Sequence, residues 1–285
     1  MKLIAIDLDG TLLNSSHQVS DENERALREA RQAGIEIVVS TGRAHFDVHS
    51  IFEPLGIKTW VISANGAAIH APDGSLYHCD AIEETRARGI LSWLEENQYY
   101  YEVFTNKAIY TPETGRQLLD IEMDRVKSAN PETDLSVLEQ AASVQYSQSG
   151  FAYIHSYREL FEKEEHLDFY NILGFSFDER KLKAGWDRFS GQKDLTLVSS
   201  ADHNFELASR NASKGQALKR LAQKLGIPMA ETAAVGDSLN DYSMLQAAGK
   251  GIAMGNARED IKEIADAVTL TNDQNGVAHM IRNLL

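Results

Sequence analysis

Short apolar runs alternate with helical segments at both ends of the chain, and this alternation limits the folds open to it more than any other feature. Strands are predicted at 2–6, 35–40, 60–64, 233–235, 251–254 and 267–271. Helices are predicted between or beside them, at 21–33, 44–55 and 214–225. Strand–helix alternation of this kind is typical of a doubly wound parallel sheet. We therefore expect one α/β domain whose sheet takes strands from both chain termini.

The middle of the chain has a different composition. Residues 83–202 hold 17 of the 23 aromatic residues, although they are less than half of the chain. Helical runs such as 83–96 and strand-like runs such as 99–105 both occur there. A chain of 285 residues is long enough for a domain with an inserted partner. We interpret 1–82 and 203–285 as the core domain and 83–202 as an inserted α/β domain.

Charge and composition exclude several classes of protein. The formal charge of −14 at pH 7 would repel nucleic acids and anionic lipids, so neither is an expected partner. No apolar stretch approaches the roughly 18 residues that span a bilayer. The N-terminal apolar run is interrupted by Asp7 and Asp9, so we do not expect it to be the apolar segment of a secretory signal. The single cysteine, Cys79, excludes an internal disulfide and favours a reducing, cytoplasmic setting. No obligatory protein partner is evident.

The strongest chemical signal is Asp7-Leu8-Asp9-Gly10-Thr11, directly after the first predicted strand. Chemistry in a parallel sheet collects where loops leave the carboxyl ends of the strands. Two carboxylates on one loop can converge on Mg²⁺, which prefers hard oxygen ligands. Asp7 could then attack a phosphorus atom, with Asp9 serving first as acid and then as base. A solvated turn explains the pentapeptide alone about equally well, whereas an EF-hand loop fits poorly because its glycine belongs at the sixth position.

Two further motifs offer positive charge or hydrogen-bond donors to a phosphate. Thr41 and Gly42 follow the second predicted strand and precede a predicted helix, where a hydroxyl and backbone N–H groups make a phosphate cradle. Lys214 lies in the first turn of its predicted helix, the unfavourable end of the helix dipole for a cation unless an anion lies in front of it. Taken alone, an ordinary turn and a solvated lysine explain these residues better.

The fourth motif is the run GDSLND at 236–241, after the strand predicted at 233–235. Asp237 adds a third carboxylate at a strand end, Asn240 can donate to a phosphate, and Asp241 can orient Lys214. A simple strand–turn–helix with Asp241 as N-cap explains the run about equally well. A phosphoryl-transfer site, however, needs a nucleophile, a metal shell, phosphate donors and a cation, and the four motifs supply each of them in order.

These four elements resemble the signature of the haloacid dehalogenase superfamily: DxDGT, a threonine before Gly-Arg, a lysine, and GDxxND. Their order and spacing are similar to the Cof-type branch (subfamily IIB), in which a cap is inserted between the second and third motifs. The resemblance implies a Rossmann-like core, an α/β cap that closes over the active site, and Mg²⁺-dependent hydrolysis of a small phosphorylated metabolite.

The resemblance also implies a role for each motif residue. Asp7 would be the nucleophile and a metal ligand, Asp9 the acid/base and a ligand through its backbone carbonyl, and Asp237 the third ligand. The groups that would hold the phosphate are Thr41, Gly42, Lys214, Asn240 and the backbone N–H of Leu8.

The chain is also similar to bacterial members that act on 5-amino-6-(5-phospho-D-ribitylamino)uracil in riboflavin synthesis. The aromatic residues of the insert favour the same substrate class, because stacking on a flat ring contributes about 1–3 kcal/mol in nucleobase recognition. Most of these residues are expected in the core of the insert, with a few left to face the ring. They include Trp93, Tyr99, Tyr100, Tyr101, Phe104, Tyr110, Phe151, Tyr153, Phe169, Tyr170, Phe175 and Phe177.

Three alternatives remain open at the level of sequence. A broad sugar-phosphate phosphatase and a phosphosugar mutase would both share the aspartyl-phosphate step. A phosphate-ligand sensor without turnover would belong to another class, but binding alone requires no nucleophile, and the intact Asp7 and Asp9 pair disfavours it.

Overall fold

The computed structural model describes residues 1–130, 132, 134–146, 150–162, 166–199 and 202–285. Its contacts divide the chain into two compact units, Met1–Asp80 with Asn211–Leu285, and Ala81–Arg210. The sequence placed these boundaries at 82/83 and 202/203. The second boundary lies later in the structure because the strand Asn204–Ser209 pairs with Phe169–Phe175, inside the second unit.

The two units contain the following strands and α-helices, in chain order. The strands are β1 (Leu3–Ile6), β2 (Glu36–Ser40), β3 (Trp60–Ser63), β4 (Ala68–His70), β5 (Leu76–Cys79), β6 (Tyr100–Thr105), β7 (Ile109–Pro112), β8 (Phe151–Ile154), β9 (Phe169–Phe175), β10 (Leu195–Val198), β11 (Asn204–Ser209), β12 (Thr232–Gly236), β13 (Lys250–Ala253) and β14 (Ala267–Val268). The α-helices are α1 (Asp21–Gln32), α2 (His45–Phe52), α3 (Glu84–Glu96), α4 (Gly115–Ala129), α5 (Leu135–Tyr146), α6 (Glu159–Glu162), α7 (Glu179–Phe189), α8 (Lys214–Leu225), α9 (Tyr242–Ala247), α10 (Glu259–Ile264) and α11 (Gly276–Leu284).

The first unit is built on an eight-stranded sheet with the order β14-β13-β12-β1-β2-β3-β4-β5. The strands from β14 to β3 are parallel, and β4 and β5 add an antiparallel edge. All four residues of β1 are fully buried, as expected for a central strand covered on both faces. The predicted α/β fold, with a Rossmann-like parallel sheet that uses strands from both termini, is confirmed.

Helix α8 shows how the sequence sets one element that the site depends on. The Ser213 side chain accepts a hydrogen bond from Gln216 N at 3.2 Å and so caps the start of the helix. Leu218 and Leu221 face the core and are fully buried. Gly226 ends the helix in the left-handed conformation, with φ of 68°. These signals fix Lys214 as the first residue of α8.

The second unit contains a six-stranded sheet with the order β10-β11-β9-β6-β7-β8. Its pairs are antiparallel, apart from the parallel pair of β7 and β8. Nine of the twelve aromatic residues named above are buried, and the exceptions are Trp93, Phe151 and Tyr153. Packing therefore accounts for most of the aromatic excess, which makes the excess a weaker guide to the substrate than the sequence suggested.

Within the described ranges, none of the helices has the length and apolar character needed to cross a membrane.

Candidate active site

The site lies where three neighbouring parallel strands of the first unit end. Strand β1 pairs with β12 on one side and with β2 on the other, with Ile6 opposite both Val235 and Val39. Because the three strands are parallel and in register, the residues that follow them emerge at one edge of the sheet. Asp7, Thr41 and Asp237 are those residues.

An acidic cluster forms the centre of this edge. One carboxylate oxygen from each of Asp7, Asp237 and Asp241 lies within 4.8 Å of the other two. Lys214 Nζ lies 2.8 Å from Asp7 Oδ1 and 2.6 Å from Asp241 Oδ1, with its side chain fully buried. Three carboxylates thus face one ammonium group, a net charge of −2 when all are ionised. A cluster with that charge and hard oxygen donors, two of whose three members are buried, fits a divalent cation.

Burial and mutual repulsion perturb the titration of these groups. Burial, followed by the charge of Asp241, raises the pKa of Asp7 well above its usual value. The same two causes raise the pKa of Asp237 to about 6. Burial alone would lower the pKa of Lys214, but Asp241 and Asp7 outweigh it and raise the pKa. The lysine therefore stays charged, and the carboxylates have more negative charge around them than one lysine balances.

Asp241 is tied to protein groups at both oxygens. Its Oδ1 accepts from Lys214, and its Oδ2 accepts from the backbone N–H groups of Asp237 at 3.0 Å and Ser238 at 3.1 Å. Asp241 is also the N-cap residue of α9, but its side chain makes no capping hydrogen bond to that helix. Asp7 and Asp237 are therefore the members of the cluster best placed to hold a metal ion.

The loop after β1 reaches Asp237 because of Gly10 and Thr11. Gly10 has φ of 73°, and a Cβ atom there would lie 2.6 Å from Asp237 Oδ2, so only glycine fits. Thr11 Oγ1 donates to Asp237 Oδ1 at 2.9 Å. The Leu8 side chain is fully buried in the core, which leaves its backbone as the part that can serve the site. The sequence had not given Thr11 a role.

Asp9 lies beside the acidic cluster without joining it. Its carboxylate receives two hydrogen bonds from Arg43, at 2.8 Å and 2.7 Å. A third Arg43 nitrogen donates to Asp47 Oδ2 at 2.7 Å. Arg43 belongs to the Thr-Gly-Arg motif, but no sequence pattern indicated that it would hold Asp9, 34 residues earlier.

Thr41 and Gly42 lie in a loop rather than at a helix N-terminus. Helix α2 begins only at His45 and ends at Phe52, inside the predicted range of 44–55. Thr41 Oγ1 accepts from Arg43 N at 3.1 Å, and this bond holds the loop in a tight turn before the helix. Both residues precede α2, as the sequence predicted, and their role in a phosphate cradle stays a prediction.

Asn240 meets a residue that the sequence analysis had not selected. Its Nδ2 donates to Asn65 Oδ1 at 3.1 Å, while its Oδ1 accepts from Ser238 Oγ at 2.6 Å. Asn65 follows β3, which is parallel to β2 and ends at the same edge. Its Asn-Gly dipeptide after a buried strand is the one local signal that could have marked it, since such dipeptides favour left-handed turns.

Comparison with known proteins shows which family the chain belongs to. Residues 4–281 match the family of haloacid dehalogenase-like hydrolases. The chain is 75% identical to phosphatase YwpJ of Bacillus subtilis (strain 168) over the full length of both proteins. It is 40% identical to the 5-amino-6-(5-phospho-D-ribitylamino)uracil phosphatase YwtE of the same organism, with 100% of this chain and 98% of the relative covered. A solved haloacid dehalogenase-like hydrolase from B. subtilis superposes with a TM-score of 0.88 at 75% identity, with both chains covered completely.

The chain belongs to the haloacid dehalogenase-like hydrolases, and within that family it is a phosphatase. The superfamily membership inferred from the four motifs is confirmed.

Proposed function

We propose that this phosphatase hydrolyses a small phosphate monoester in two steps, with Mg²⁺ as cofactor and Asp7 as the phosphoryl acceptor. The main support is the position of Asp7, which is buried at a strand end, 2.8 Å from a charged lysine and within 4.8 Å of Asp237. A carboxylate there is shielded from water and lies at the sheet edge where the four motifs meet.

In the first step, an Asp7 carboxylate oxygen forms a bond to phosphorus as the bond from phosphorus to the ester oxygen breaks. The electron pair leaves with that oxygen, which takes a proton from the Asp9 carboxyl group. Asp9 must part from Arg43 to do this, because Arg43 occupies both of its oxygens in the structure. The products are an alcohol and an aspartyl phosphate at Asp7.

In the second step, a water oxygen attacks phosphorus while Asp9 accepts the water proton. The bond from phosphorus to the Asp7 oxygen breaks, and inorganic phosphate and the original carboxylate are restored. Asp9 thereby regains the proton that it gave to the leaving group.

Five groups are proposed to bind the phosphate oxygens. Lys214 has three N–H donors and uses two on Asp7 and Asp241, so the third can point to phosphate. The Thr41 hydroxyl accepts from Arg43 N, which leaves its hydrogen for donation. The Asn240 amide and the backbone N–H groups of Leu8 and Gly42 complete the set.

The acidic cluster fits Mg²⁺. Asp7 and Asp237 would hold the ion, with the backbone carbonyl of Asp9 as a third protein ligand. When bound, the ion would neutralise the charge that separates Asp7 from an anionic substrate. Removal of the metal with EDTA is expected to abolish activity, and added Mg²⁺ to restore it. Asp237→Asn is expected to raise the Mg²⁺ requirement by at least about tenfold, while Asp260→Asn, at an exposed acid of the same unit, leaves it unchanged.

Thermal denaturation gives a readout of the same site that is independent of turnover. The pKa of Asp237 is raised to about 6 in the folded protein, above its unfolded value. Ionisation of Asp237 therefore destabilises the metal-free protein as pH rises from the unfolded pKa to the folded one. Mg²⁺ binds the ionised form, so the Mg²⁺-dependent increase in Tm should be larger at about pH 8 than at about pH 5. Full activity in excess EDTA, or an equal Tm increase at both pH values, would contradict a carboxylate-bound Mg²⁺.

For the substrate, we propose 5-amino-6-(5-phospho-D-ribitylamino)uracil or a related flavin-type phosphate. Support comes from YwtE, whose name gives this activity, at 40% identity over the full chain. Phe151 and Tyr153 give further support, since they are aromatic residues of the second unit that stay accessible. With Glu113 and Arg116 they line a cavity of about 170 Å³, and their ring centroids lie 6.4 Å apart.

We expect kcat/KM for this ester to exceed that for hexose and pentose phosphates by at least about tenfold, a difference of about 1.4 kcal/mol. Tyr153→Ala should lower kcat/KM for the heterocyclic ester and leave the value for hexose phosphates unchanged. If simple sugar phosphates are hydrolysed about tenfold better, the enzyme is a sugar-phosphate phosphatase. If a phosphosugar product appears in place of free phosphate, it is a mutase.

The remaining sequence expectations stay predictions. They are a cytoplasmic setting, a small phosphorylated metabolite as the partner, and no obligatory protein partner. The charge of −14 supports the further expectation that neither nucleic acid nor membrane is a partner. Turnover itself separates the enzyme from a phosphate-ligand sensor.

A further inference from the structure

The turn that follows β3 has an unusual backbone. Ala64, Asn65 and Gly66 have φ values of 47°, 55° and 97°. Residues other than glycine rarely adopt positive φ, and two in succession persist only where their surroundings hold them there. Such conformations cluster at functional sites.

Two segments of the candidate active site hold the turn in place. Ala64 N donates to Arg43 O and Asn65 N donates to Thr41 O, each at 3.0 Å, which ties the turn to the loop after β2. On the other side, a Cβ atom on Gly66 would lie 2.2 Å from the Ser213 carbonyl carbon. The turn is thus packed against the start of α8, where Lys214 is the first residue.

The Asn65 side chain makes a third connection. Its Oδ1 accepts from Asn240 Nδ2 at 3.1 Å, and a Cβ atom on Gly42 would lie 3.1 Å from the same oxygen. Ser238 Oγ donates to Asn240 Oδ1, so both ends of the Asn240 amide have partners that set its orientation. One N–H of the Asn240 amide points to Asn65, and the other is available to a ligand.

We infer that Asn65 is a positioning residue for phosphate binding. Its turn joins three elements that carry proposed phosphate donors: the loop with Thr41 and Gly42, the start of α8 with Lys214, and the 236–241 loop with Asn240. Its side-chain oxygen fixes the Asn240 amide so that the second N–H of that group faces the phosphate. This inference rests on the proposed function, because it takes Asn240 as a phosphate donor. It assigns Asn65 no contact with the reacting atoms.

Two substitutions at position 65 separate the side chain from the backbone. Asn65→Gly removes the amide and tolerates positive φ, whereas Asn65→Ala removes the amide and strains the turn. We expect both variants to bind inorganic phosphate about tenfold more weakly in calorimetry with Mg²⁺ present. KM for p-nitrophenyl phosphate should rise similarly, while only Asn65→Ala should lower Tm. Phosphate affinity that falls only in Asn65→Ala, in step with Tm, would mean that the residue is merely structural.

A double-mutant cycle with Asn240→Ala tests the connection itself. If Asn65 acts through Asn240, then Asn65→Gly should have little further effect on phosphate affinity in the Asn240→Ala protein. Fully additive losses would overturn the inference. A strong effect of Asn240→Ala with none from Asn65→Gly would also overturn it, but would leave the proposed phosphate site standing. If Asn240→Ala leaves phosphate affinity unchanged, Asn240 is not a phosphate donor, and both that part of the proposed function and the inference about Asn65 are wrong.

Discussion

Asp7→Asn is expected to lower kcat by at least about 10³-fold while the protein stays folded. An amide has nearly the shape of a carboxylate but is a poor nucleophile, so the phosphoryl group has no acceptor. The fold should tolerate the change because Asp7 is one of three crowded carboxylates, and burial and Asp241 already raise its pKa. The loss of one negative charge relieves repulsion that offsets the lost ion pair with Lys214.

The measurement is steady-state turnover of p-nitrophenyl phosphate with saturating Mg²⁺, together with Tm for both proteins. Asp73→Asn is the matched control, since Asp73 is an exposed aspartate in the turn between β4 and β5 of the same unit. Rapid quenching and mass spectrometry should find a phosphate adduct on Asp7 of the wild-type protein and none in the variant. A purified Asp7→Asn protein with the wild-type rate would exclude the covalent mechanism.

The sequence predicts those parts of the site whose signals are local. Asp7 follows a short apolar run, and such a run in an alternating chain is a buried parallel strand whose end faces the site. Lys214 follows a serine cap and opens an amphipathic helix, so its place in the first turn could be predicted too. Both conclusions need only neighbouring residues.

Contacts between distant segments could not be predicted in the same way. Arg43 reaches Asp9 across 34 residues, and Asn240 reaches Asn65 across 175. Neither contact is indicated by the periodicity or composition of the sequence, because each depends on how loops from different strands turn at the sheet edge. Aromatic composition is a weak guide to the substrate for another reason: it does not separate a ring such as Tyr101, which is buried, from Tyr153, which is 58% exposed.

Lys214→Met is expected to destabilise the metal-free protein by about 3–5 kcal/mol near neutral pH. Methionine matches the length of lysine but carries no charge, so the buried carboxylates of Asp7 and Asp241 lose the cation 2.8 Å and 2.6 Å from them. Their negative charge would then be buried without compensation, and the folded-state pKa of Asp7, which burial and Asp241 already raise, would rise further above its unfolded value. An acid whose pKa is raised by folding costs stability when it is ionised, so the loss should shrink as pH falls and Asp7 becomes protonated.

Chemical denaturation at several pH values, with and without Mg²⁺, measures this effect. Mg²⁺ should restore part of the lost stability because it supplies positive charge to Asp7 and lies close to Asp241, although phosphate binding and turnover should stay impaired without the Lys214 donor. Lys219→Met is the matched control, since Lys219 lies on α8 but is exposed, and it should change stability by less than about 0.5 kcal/mol. A Lys214→Met loss that is independent of pH, or no larger than that of Lys219→Met, would show that the lysine does not balance the acidic cluster.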